Sequence, residues 1–172
     1  MNYQKQEFPG ERALFQERNS TIMDCRFYDG ESPLKESKNI GIINTVFDWR
    51  YPIWYSAKIE CEDTIFNEGA RAAVWYTNNS YFTNCTFHAP KCIRKCKDIK
   101  IKNCDFSNGV ETLWWCTDAS LRHITIKGDY FAMKCKNLDI SHLDLVGQYC
   151  FDGCKHVYLR KSKLKTKDAF WN

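Results

Sequence analysis

A nine-residue pattern recurs along almost the whole chain at intervals of 19 to 21 residues. It reads polar, apolar, any, apolar, any, polar, small, any, phenylalanine. The eight copies begin at Asn19, Asn39, Lys58, Asn79, Asp98, Asp118, Asn137 and His156. Because so regular a period is typical of stacked equivalent units, it predicts a solenoid in which each copy lies on the next.

Three apolar columns define the core of each predicted coil. Two are the fourth and ninth positions of the pattern. The third column lies later in each repeat, at Leu34, Ile53, Val74, Ile93, Leu113, Ala132, Phe151 and Phe170. Apolar residues alternate with period two over short stretches, and the helical period is missing. The sequence therefore predicts an all-β solenoid of about eight coils of roughly 20 residues, with three short strands per coil stacked at about 4.8 Å.

The repeat assigns residues 1–172 to a single β-helix domain. Leu14 fits the third column, so residues 8–18 are predicted to be the second half of an earlier, partial coil. The last coil, which starts at His156, is predicted to be incomplete, because the chain stops at Asn172 within its third strand. The chain thus resembles a truncated repeat array, and its open strand edge predicts self-association through the C-terminal coil.

Two columns predict the corners of the coil. The sixth position of the pattern is Asp or Asn in the first five copies, and these residues tolerate the left-handed backbone of a tight turn. A second corner carries Gly10, Gly30, Gly109, Gly128 and Gly147. Leucine-rich repeats need a helical or extended segment of about ten residues to return to the next strand, and here that segment is another strand. Square pentapeptide-repeat coils need an apolar residue at the fourteenth position, a rule that this sequence does not follow. A triangular coil fits the sequence better than either.

Composition and charge narrow the partners and the location. Apolar residues make up 44% of the chain and charged residues 27%, which excludes a disordered chain. The net charge is +4, and charges of both signs are scattered along the chain. Neither nucleic acid nor a membrane is therefore predicted as a partner. No apolar run approaches the roughly 20 residues of a membrane span, and Met1 to Phe15 lacks the features of a signal peptide. A cytoplasmic protein is predicted.

Seven of the ten cysteines fall into two inward columns, one of which contains Cys25, Cys85 and Cys104. The longer column contains Ser37, Ser56, Thr77, Cys96, Cys116, Cys135 and Cys154. Thiols stacked at about 4.8 Å lie on a line and cannot surround a zinc ion tetrahedrally. Buried structural thiols are therefore favoured over disulfides or a metal site, and no cofactor is predicted. His123 and His142 occupy the Asn corner column and are interpreted as turn residues rather than as a catalytic pair.

The residue that follows the third core column is predicted to point outward. In four consecutive coils it is Trp54, Trp75, Arg94 or Trp114, so Arg94 is placed to stack between two indoles. The predicted ligand-binding residues of this face are Trp54, Trp75, Arg94, Trp114, Arg71, Tyr130, Asp152 and Asp168. Flat aromatic rings beside charged groups suit sugars, whose ring faces stack on indoles while their hydroxyls bond polar groups.

Glu111 and Asp129 are the candidate acid/base pair. They lie on adjacent coils, one residue apart in register. If both carboxyls point outward, they lie close together and the pKa of one should rise. The alternative, which we prefer, is that Glu111 forms a surface ion pair with Lys91 on the preceding coil.

The register Asn, apolar, x, apolar, x, Asn, Cys, x, Phe resembles the parallel β-helix repeat of the pectate-lyase-like superfamily. More narrowly, the segments GERALF (10–15), GESPLKESKN (30–39), ARAAVWYTNN (70–79), ETLW (111–114), GDYF (128–131) and KDAFWN (167–172) resemble an uncharacterised bacterial family of right-handed β-helix proteins. In the superfamily, the polysaccharide groove lies on the strand that corresponds to the tryptophan-bearing strand here. The catalytic motifs of pectate lyases and polygalacturonases have no match in this sequence.

Two functions from different classes follow. The first is a carbohydrate-recognising β-helix protein that binds a glycan or oligosaccharide on the third strand; if it is an enzyme, it is expected to have a polysaccharide lyase or glycoside hydrolase-like activity. The alternative is a non-catalytic scaffold that binds a protein partner, or a second copy of itself, through the aromatic face.

Overall fold

A computed structural model describes residues 1–171 as an all-β chain with eighteen strands and no helix. In chain order the strands are β1 (Asn2–Gln4), β2 (Glu7–Pro9), β3 (Arg18–Met23), β4 (Arg26–Tyr28), β5 (Lys38–Ile43), β6 (Val46–Phe47), β7 (Ile53–Trp54), β8 (Ala57–Glu62), β9 (Ile65–Phe66), β10 (Val74–Trp75), β11 (Asn78–Thr83), β12 (Thr86–Phe87), β13 (Ile93–Arg94), β14 (Lys97–Phe106), β15 (Thr117–Lys127), β16 (Lys136–Val146), β17 (Lys155–Arg160) and β18 (Lys163–Lys165). Among residues 1–171 no helical segment has the length and hydropathy needed to cross a membrane.

The strands stack in parallel as a β-solenoid of about nine coils of about 19 residues, which confirms the predicted fold class. Each first strand pairs with the first strand of the next coil. Fourth-position residues are matched along the stack, in the order Ile22, Ile42, Cys61, Phe82, Ile101, Leu121, Ile140 and Leu159. Before the first copy of the pattern, β1 pairs with β3 and β2 with β4, so a coil precedes Asn19.

The three predicted core columns point into the solenoid. In the central coils their members are almost completely buried, as Ile42, Phe66 and Val74 illustrate, each with a relative exposure of 0%. The ninth position builds a continuous stack of rings from Phe8, Phe27, Phe47, Phe66, Phe87 and Phe106, with centroids 4.5 to 5.1 Å apart. Because each ring covers the next one, the aligned repeat converts one apolar position into a continuous core. At the last coil the third-column residue Phe170 is half exposed.

The corner predicted at the sixth position of the pattern is present. The sixth-position residues adopt left-handed φ angles between 45° and 55° in all eight copies, including His123, His142 and Lys161. Asn44 Nδ2 donates a 2.7 Å hydrogen bond to Asp24 Oδ1 on the preceding coil, and the imidazoles of His123 and His142 stack with centroids 4.3 Å apart. The two histidines therefore form part of a turn ladder. In β14, β15 and β16, pairing continues through this corner and joins the first two strands of the coil.

The third strand forms only where its core residue is β-branched. It is two residues long in β7, β10 and β13, which begin at Ile53, Val74 and Ile93. In the following coils Leu113, Ala132, Phe151 and Phe170 stand at the same position with φ between 56° and 64°, and only isolated bridges remain. Branching at Cβ disfavours the left-handed region, which agrees with the extended backbone at Ile53, Val74 and Ile93. Leu34, which is unbranched, also avoids the left-handed region, so branching is not the only cause.

Small polar side chains satisfy the backbone in the column that contains most of the thiols. The Ser37 N–H donates to Ser56 Oγ at 3.2 Å, and the Cys116 N–H donates to Cys135 Sγ at 3.4 Å. Cys135 Sγ in turn donates to the carbonyl of Leu113. Nine of the ten cysteines are buried and Cys154 is partly exposed, which confirms the predicted packing columns. The thiols therefore also act as hydrogen-bonding groups, a role indicated by the serines and threonine of the same column.

Candidate functional site

The outward column of the third strand forms one continuous stack over four coils. Trp54 and Trp75 lie nearly parallel, with centroids 5.0 Å apart and 6° between the ring planes. The guanidinium of Arg94 lies 5.1 Å from the Trp75 ring centroid and 4.2 Å from that of Trp114. The predicted sandwich of Arg94 between two indoles is thus present in the structure.

Each of these indoles also donates a hydrogen bond to the turn of the following coil. Trp54 Nε1 donates to the carbonyl of Ala72 at 2.6 Å, and Trp75 Nε1 to that of Lys91 at 2.7 Å. Trp114 Nε1 donates to the carbonyl of Tyr130 at 2.6 Å. The rings lie outside the core, as predicted, but within the stack they cover one another's faces. Trp54 and Trp75 therefore pack the outside of the coil and leave little ring face for a sugar.

Glu111 joins this stack through ion pairs. Its Oε2 accepts a 2.6 Å hydrogen bond from Arg94 and lies 3.3 Å from Lys91 Nζ, so the ion pair that we preferred for Glu111 is present. Partial burial acts to raise the pKa of Glu111. The hydrogen bonds from Arg94 and Lys91, together with their positive charges, outweigh burial and lower the pKa below its ordinary value.

The candidate acid/base pair is not brought together as two facing carboxylates. The pKa of Glu111 is lowered, because two cations hold that carboxylate in its charged form. Asp129 is engaged separately, since its Oδ1 accepts a 2.8 Å hydrogen bond from the backbone N–H of Gln148 on the next coil. The two carboxylates thus have partners of their own, as structural ion-pair and turn-capping groups do.

A recess interrupts the outward column beyond Trp114. In the next two coils the column carries Met133 and Asp152, and in the third it carries Trp171. Trp114 and Trp171, about 14 Å apart at the usual strand spacing, therefore face each other across smaller side chains. This space, which we call the recess, has a volume of about 340 Å³, and its lining is Trp114, Trp115, Tyr130, Met133, Lys134, Asp152, Gly153 and Trp171.

A second depression of about 300 Å³ adjoins the recess, on the side formed by the residues that come before the third core column in each coil. It is lined by Tyr130, Tyr149, Asp152, Asp168 and Trp171, three of which also line the recess. The rings of Tyr130 and Tyr149 stack with centroids 5.4 Å apart. Asp152 Oδ1 accepts a hydrogen bond from the backbone N–H of Trp171, which orients that carboxylate at the boundary of the two depressions.

The structure therefore divides the predicted ligand-binding residues into two groups. It brings Trp114, Tyr130, Asp152 and Asp168 together at the recess and its neighbouring depression. Trp54, Trp75 and Arg94 are engaged in the stack, and Arg71 is exposed in an earlier coil. The grouping depends on which coils carry a smaller side chain in the outward column. Only the alignment of the coils shows where these side chains lie.

A second exposed ladder runs one residue further along the chain, and we did not single it out from the sequence. Tyr55 and Tyr76 stack with centroids 4.5 Å apart and parallel planes. Lys95 Nζ then lies 5.4 Å from the Tyr76 ring and 5.7 Å from the Trp115 ring. Trp115 also lines the recess, so this ladder leads to one of its walls. The sequence signal for this ladder is the aromatic or lysine residue that directly follows each member of the tryptophan column.

Among residues 1–171 there is no cluster of three or more His, Cys, Asp or Glu side chains placed to hold a metal ion. Several of the buried thiols are also poor nucleophiles. Burial raises the pKa of Cys92, and for Cys104 the hydrogen bond with Cys85 raises the pKa, with burial acting in the same direction. Thiols with a raised pKa carry little thiolate, so these cysteines suit packing rather than reaction.

Three solved structures are similar to this chain at low identity. The Streptococcus pneumoniae surface protein and adhesin PfbA matches 96% of this chain at 9% identity with a TM-score of 0.49, and this chain spans 64% of that one. The plasmid-mediated fluoroquinolone resistance protein QnrB1 matches 95% of this chain and 89% of its own, at 12% identity with a TM-score of 0.40. HetL from Nostoc sp. strain PCC 7120, a pentapeptide repeat protein involved in heterocyst differentiation regulation, matches 98% of this chain and 88% of its own, at 9% identity with a TM-score of 0.29.

No curated protein sequence matches the chain. A family match, by contrast, extends over residues 1–172 and so includes every repeat and the recess. It agrees with the sequence resemblance to an uncharacterised family. The chain belongs to the family described as "Protein of unknown function (DUF3737)".

Proposed function

We propose that this chain is a carbohydrate-binding β-solenoid and that the recess between Trp114 and Trp171 is its sugar site. The observation that carries the proposal is the gap in the outward column, where Met133 and Asp152 separate two indoles. Elsewhere in the column, aromatic and cationic groups on adjacent coils cover each other. At the recess a flat ligand can take the place of the missing rings.

The chemistry of the walls supports a sugar. Arg94 covers the face of Trp114 that looks toward the preceding coil, which leaves the opposite face directed at the recess. An indole face packs against the C–H groups of a pyranose ring. The carboxylates of Asp152 and Asp168 at the margin can accept hydrogen bonds from hydroxyl groups, while Tyr130 supplies a further aromatic wall. A mainly apolar recess with a few polar groups fits a neutral or amino sugar.

Binding without turnover is proposed. Glu111 is held charged by Arg94 and Lys91, which lower its pKa, whereas a general acid needs a raised one. The carboxylate of Asp129 accepts a hydrogen bond from the backbone N–H of Gln148. We also propose that the chain is a member of the pectate-lyase-like superfamily, because the polysaccharide groove of that superfamily would lie on the same strand.

The test is a glycan array followed by calorimetric titration of the best-binding oligosaccharide. We expect Trp171→Ala to weaken that affinity about tenfold or more, since truncating a hot-spot aromatic residue costs about 2 kcal/mol or more. Trp171 is 69% exposed, so this substitution spares the core. Trp49→Ala is the matched control, because Trp49 is also exposed, at 46%, but lies outside the recess. Asp168→Asn should weaken binding less than Trp171→Ala.

Three results would contradict the proposal. One is the absence of glycan binding, and another is an equal loss of affinity for Trp171→Ala and Trp49→Ala. The third is release of new reducing ends that Glu111→Gln abolishes, because that would identify an enzyme with its reactive carboxylate outside the recess.

The alternative of an interaction scaffold is favoured by a different observation. The ladder of Tyr55, Tyr76 and Lys95 presents aromatic edges and cations to solvent away from the recess. Tyr55→Ser with Tyr76→Ser would remove this surface and leave sugar binding at the recess unchanged. If glycan binding is absent and these substitutions abolish binding to a protein partner, the scaffold hypothesis replaces the carbohydrate one.

A further inference from the structure

We propose that two copies of this protein associate face to face through the outer surface of the first-strand sheet, centred on Tyr81 of β11. This surface lies on a different side of the coil from the recess and does not involve the C-terminal coil. The inference is independent of the carbohydrate proposal.

The charges on this face are arranged asymmetrically about Tyr81. Alternation along the strands directs every second side chain outward. Next to Tyr81 and Thr83 these are Glu60 and Glu62 on β8, and Lys100 and Lys102 on β14. Lys58 and Asp98, near the start of the same two strands, are exposed too and carry the opposite charges. In register, Tyr81 lies between Glu60 and Lys100. The four charges that flank Tyr81 and Thr83 are two negative on one side and two positive on the other, and with Lys58 and Asp98 included the face stays net negative on the β8 side and net positive on the β14 side.

These four side chains are exposed and have no ion partner of their own. None of them forms an ion pair with another described residue. Glu60 and Lys100 are two coils apart, about 10 Å at the usual strand spacing, so neither neutralises the other within the chain. Their charges remain available to a second molecule.

One two-fold arrangement pairs every one of these charges. The two-fold axis lies in the interface, roughly along β11, so the solenoid axis of the second copy runs antiparallel to that of the first. Glu60 then faces Lys100 of the second copy, and Glu62 faces Lys102 of the second copy. The same contacts recur by symmetry, as an isologous interface requires. An axis along the solenoid would instead place Glu60 on Glu60, so electrostatic complementarity selects the antiparallel arrangement.

The shape of the face agrees with a second copy. Tyr81 is 41% exposed at the centre, and a shallow depression lies on each side of it. One has a volume of about 560 Å³ and extends from Gly41, which has no side chain, toward Thr83 and Lys102. The other has a volume of about 300 Å³ and includes Ser80 and Asp98. In the two-fold arrangement, Tyr81 of each copy meets the centre of the other face and can pack into these depressions.

Sedimentation velocity over a range of protein concentrations tests the proposal. Wild-type protein should dimerise, and the dimer should weaken between about 0.05 M and about 1 M NaCl, because exposed ion pairs are screened by salt. Glu60→Lys with Glu62→Lys should raise the dimer dissociation constant about tenfold or more, since like charges then face each other. Glu68→Lys with Asp105→Lys is the control, because both residues are exposed outside this face and the change in net charge is the same.

A mixing experiment makes the test specific. Lys100→Glu with Lys102→Glu should weaken self-association to the same extent. An equimolar mixture of this variant with Glu60→Lys/Glu62→Lys should form a heterodimer, because opposite charges face each other again at all four positions. The fourfold swap within one chain should restore the homodimer. Circular dichroism checks that each variant is folded. A wild-type monomer at high micromolar concentration, association unaffected by the reversals, or failure of the mixture to associate would each overturn the proposal.

Discussion

The indole rings of Trp54 and Trp75 stack with 6° between their planes and 5.0 Å between their centroids. The two tryptophans stand one coil apart in register, and each also donates its indole N–H to a carbonyl of the following coil. The contact ties three coils together on the outside of the solenoid. Trp75 is therefore a structural residue as well as a surface one.

Trp75→Ala should lower the free energy of unfolding by about 2–3 kcal/mol, because it removes the stacking on Trp54 and Arg94 and leaves the carbonyl of Lys91 without its indole donor. Urea unfolding followed by circular dichroism measures the change. The exposed Trp49 provides the comparison, and Trp49→Ala should change stability by no more than about 0.5 kcal/mol. Equal effects of the two substitutions would show that the stack contributes nothing.

Backbone conformation at the third core column gives a second prediction. Leu113 has a φ of 61°, whereas Ile93 one coil earlier is extended in β13. Leu113→Ile should lower the free energy of unfolding by about 2 kcal/mol, because a β-branched side chain is disfavoured in the left-handed region. Ile93→Leu, the reverse exchange, should cost less than about 1.5 kcal/mol. The order of the two unfolding midpoints checks the prediction, and the opposite order would contradict it.

The role of the thiol column can be tested at Cys135. Cys135→Ser should be better tolerated than Cys135→Val, although valine is the more apolar residue. Serine can accept the hydrogen bond from the Cys116 N–H, as Ser56 does from Ser37, whereas valine leaves that buried N–H unpaired at a cost of about 1–3 kcal/mol. Thermal unfolding of both variants gives the comparison. A valine variant at least as stable as the serine variant would argue for packing alone.

Acid stability should depend on Glu111. Its pKa is lower in the folded state than the ordinary value of 4.5, because the ion pairs with Arg94 and Lys91 outweigh partial burial. The folded state thus favours the carboxylate, so this contribution to stability is complete above pH 4.5 and is lost as the pH falls through the lower folded-state value. Because the group is partly exposed, the contribution is about 1 kcal/mol or less.

Glu111→Gln removes this titration. The variant should be slightly less stable than the wild type at neutral pH, and the difference should shrink below pH 4.5. Urea midpoints measured from neutral to acid pH report the convergence. Parallel curves for the two proteins would mean that Glu111 is not stabilised as a carboxylate.

The architecture of this protein was determined largely by its sequence. Each residue of a parallel solenoid lies on its equivalent in the next coil, so a period near 20 residues fixes most neighbours without long-range information. The buried columns represented by Phe66 and Val74, the left-handed corner at Asn44 and the buried thiols all follow from this one rule. The sandwich of Arg94 between indoles was predictable for the same reason.

The tertiary structure decided what the outward side chains do. The sequence places Trp75 outside the core, but only the folded turn brings the Lys91 carbonyl to its indole N–H. Glu111 could have faced Asp129, yet Arg94 reaches it at 2.6 Å and lowers its pKa. The alternation of a strand specifies the side on which a residue lies. Ring orientation, ion-pair choice and the opening of the recess depend instead on contacts between side chains and turns of neighbouring coils, which form only when the coils are stacked.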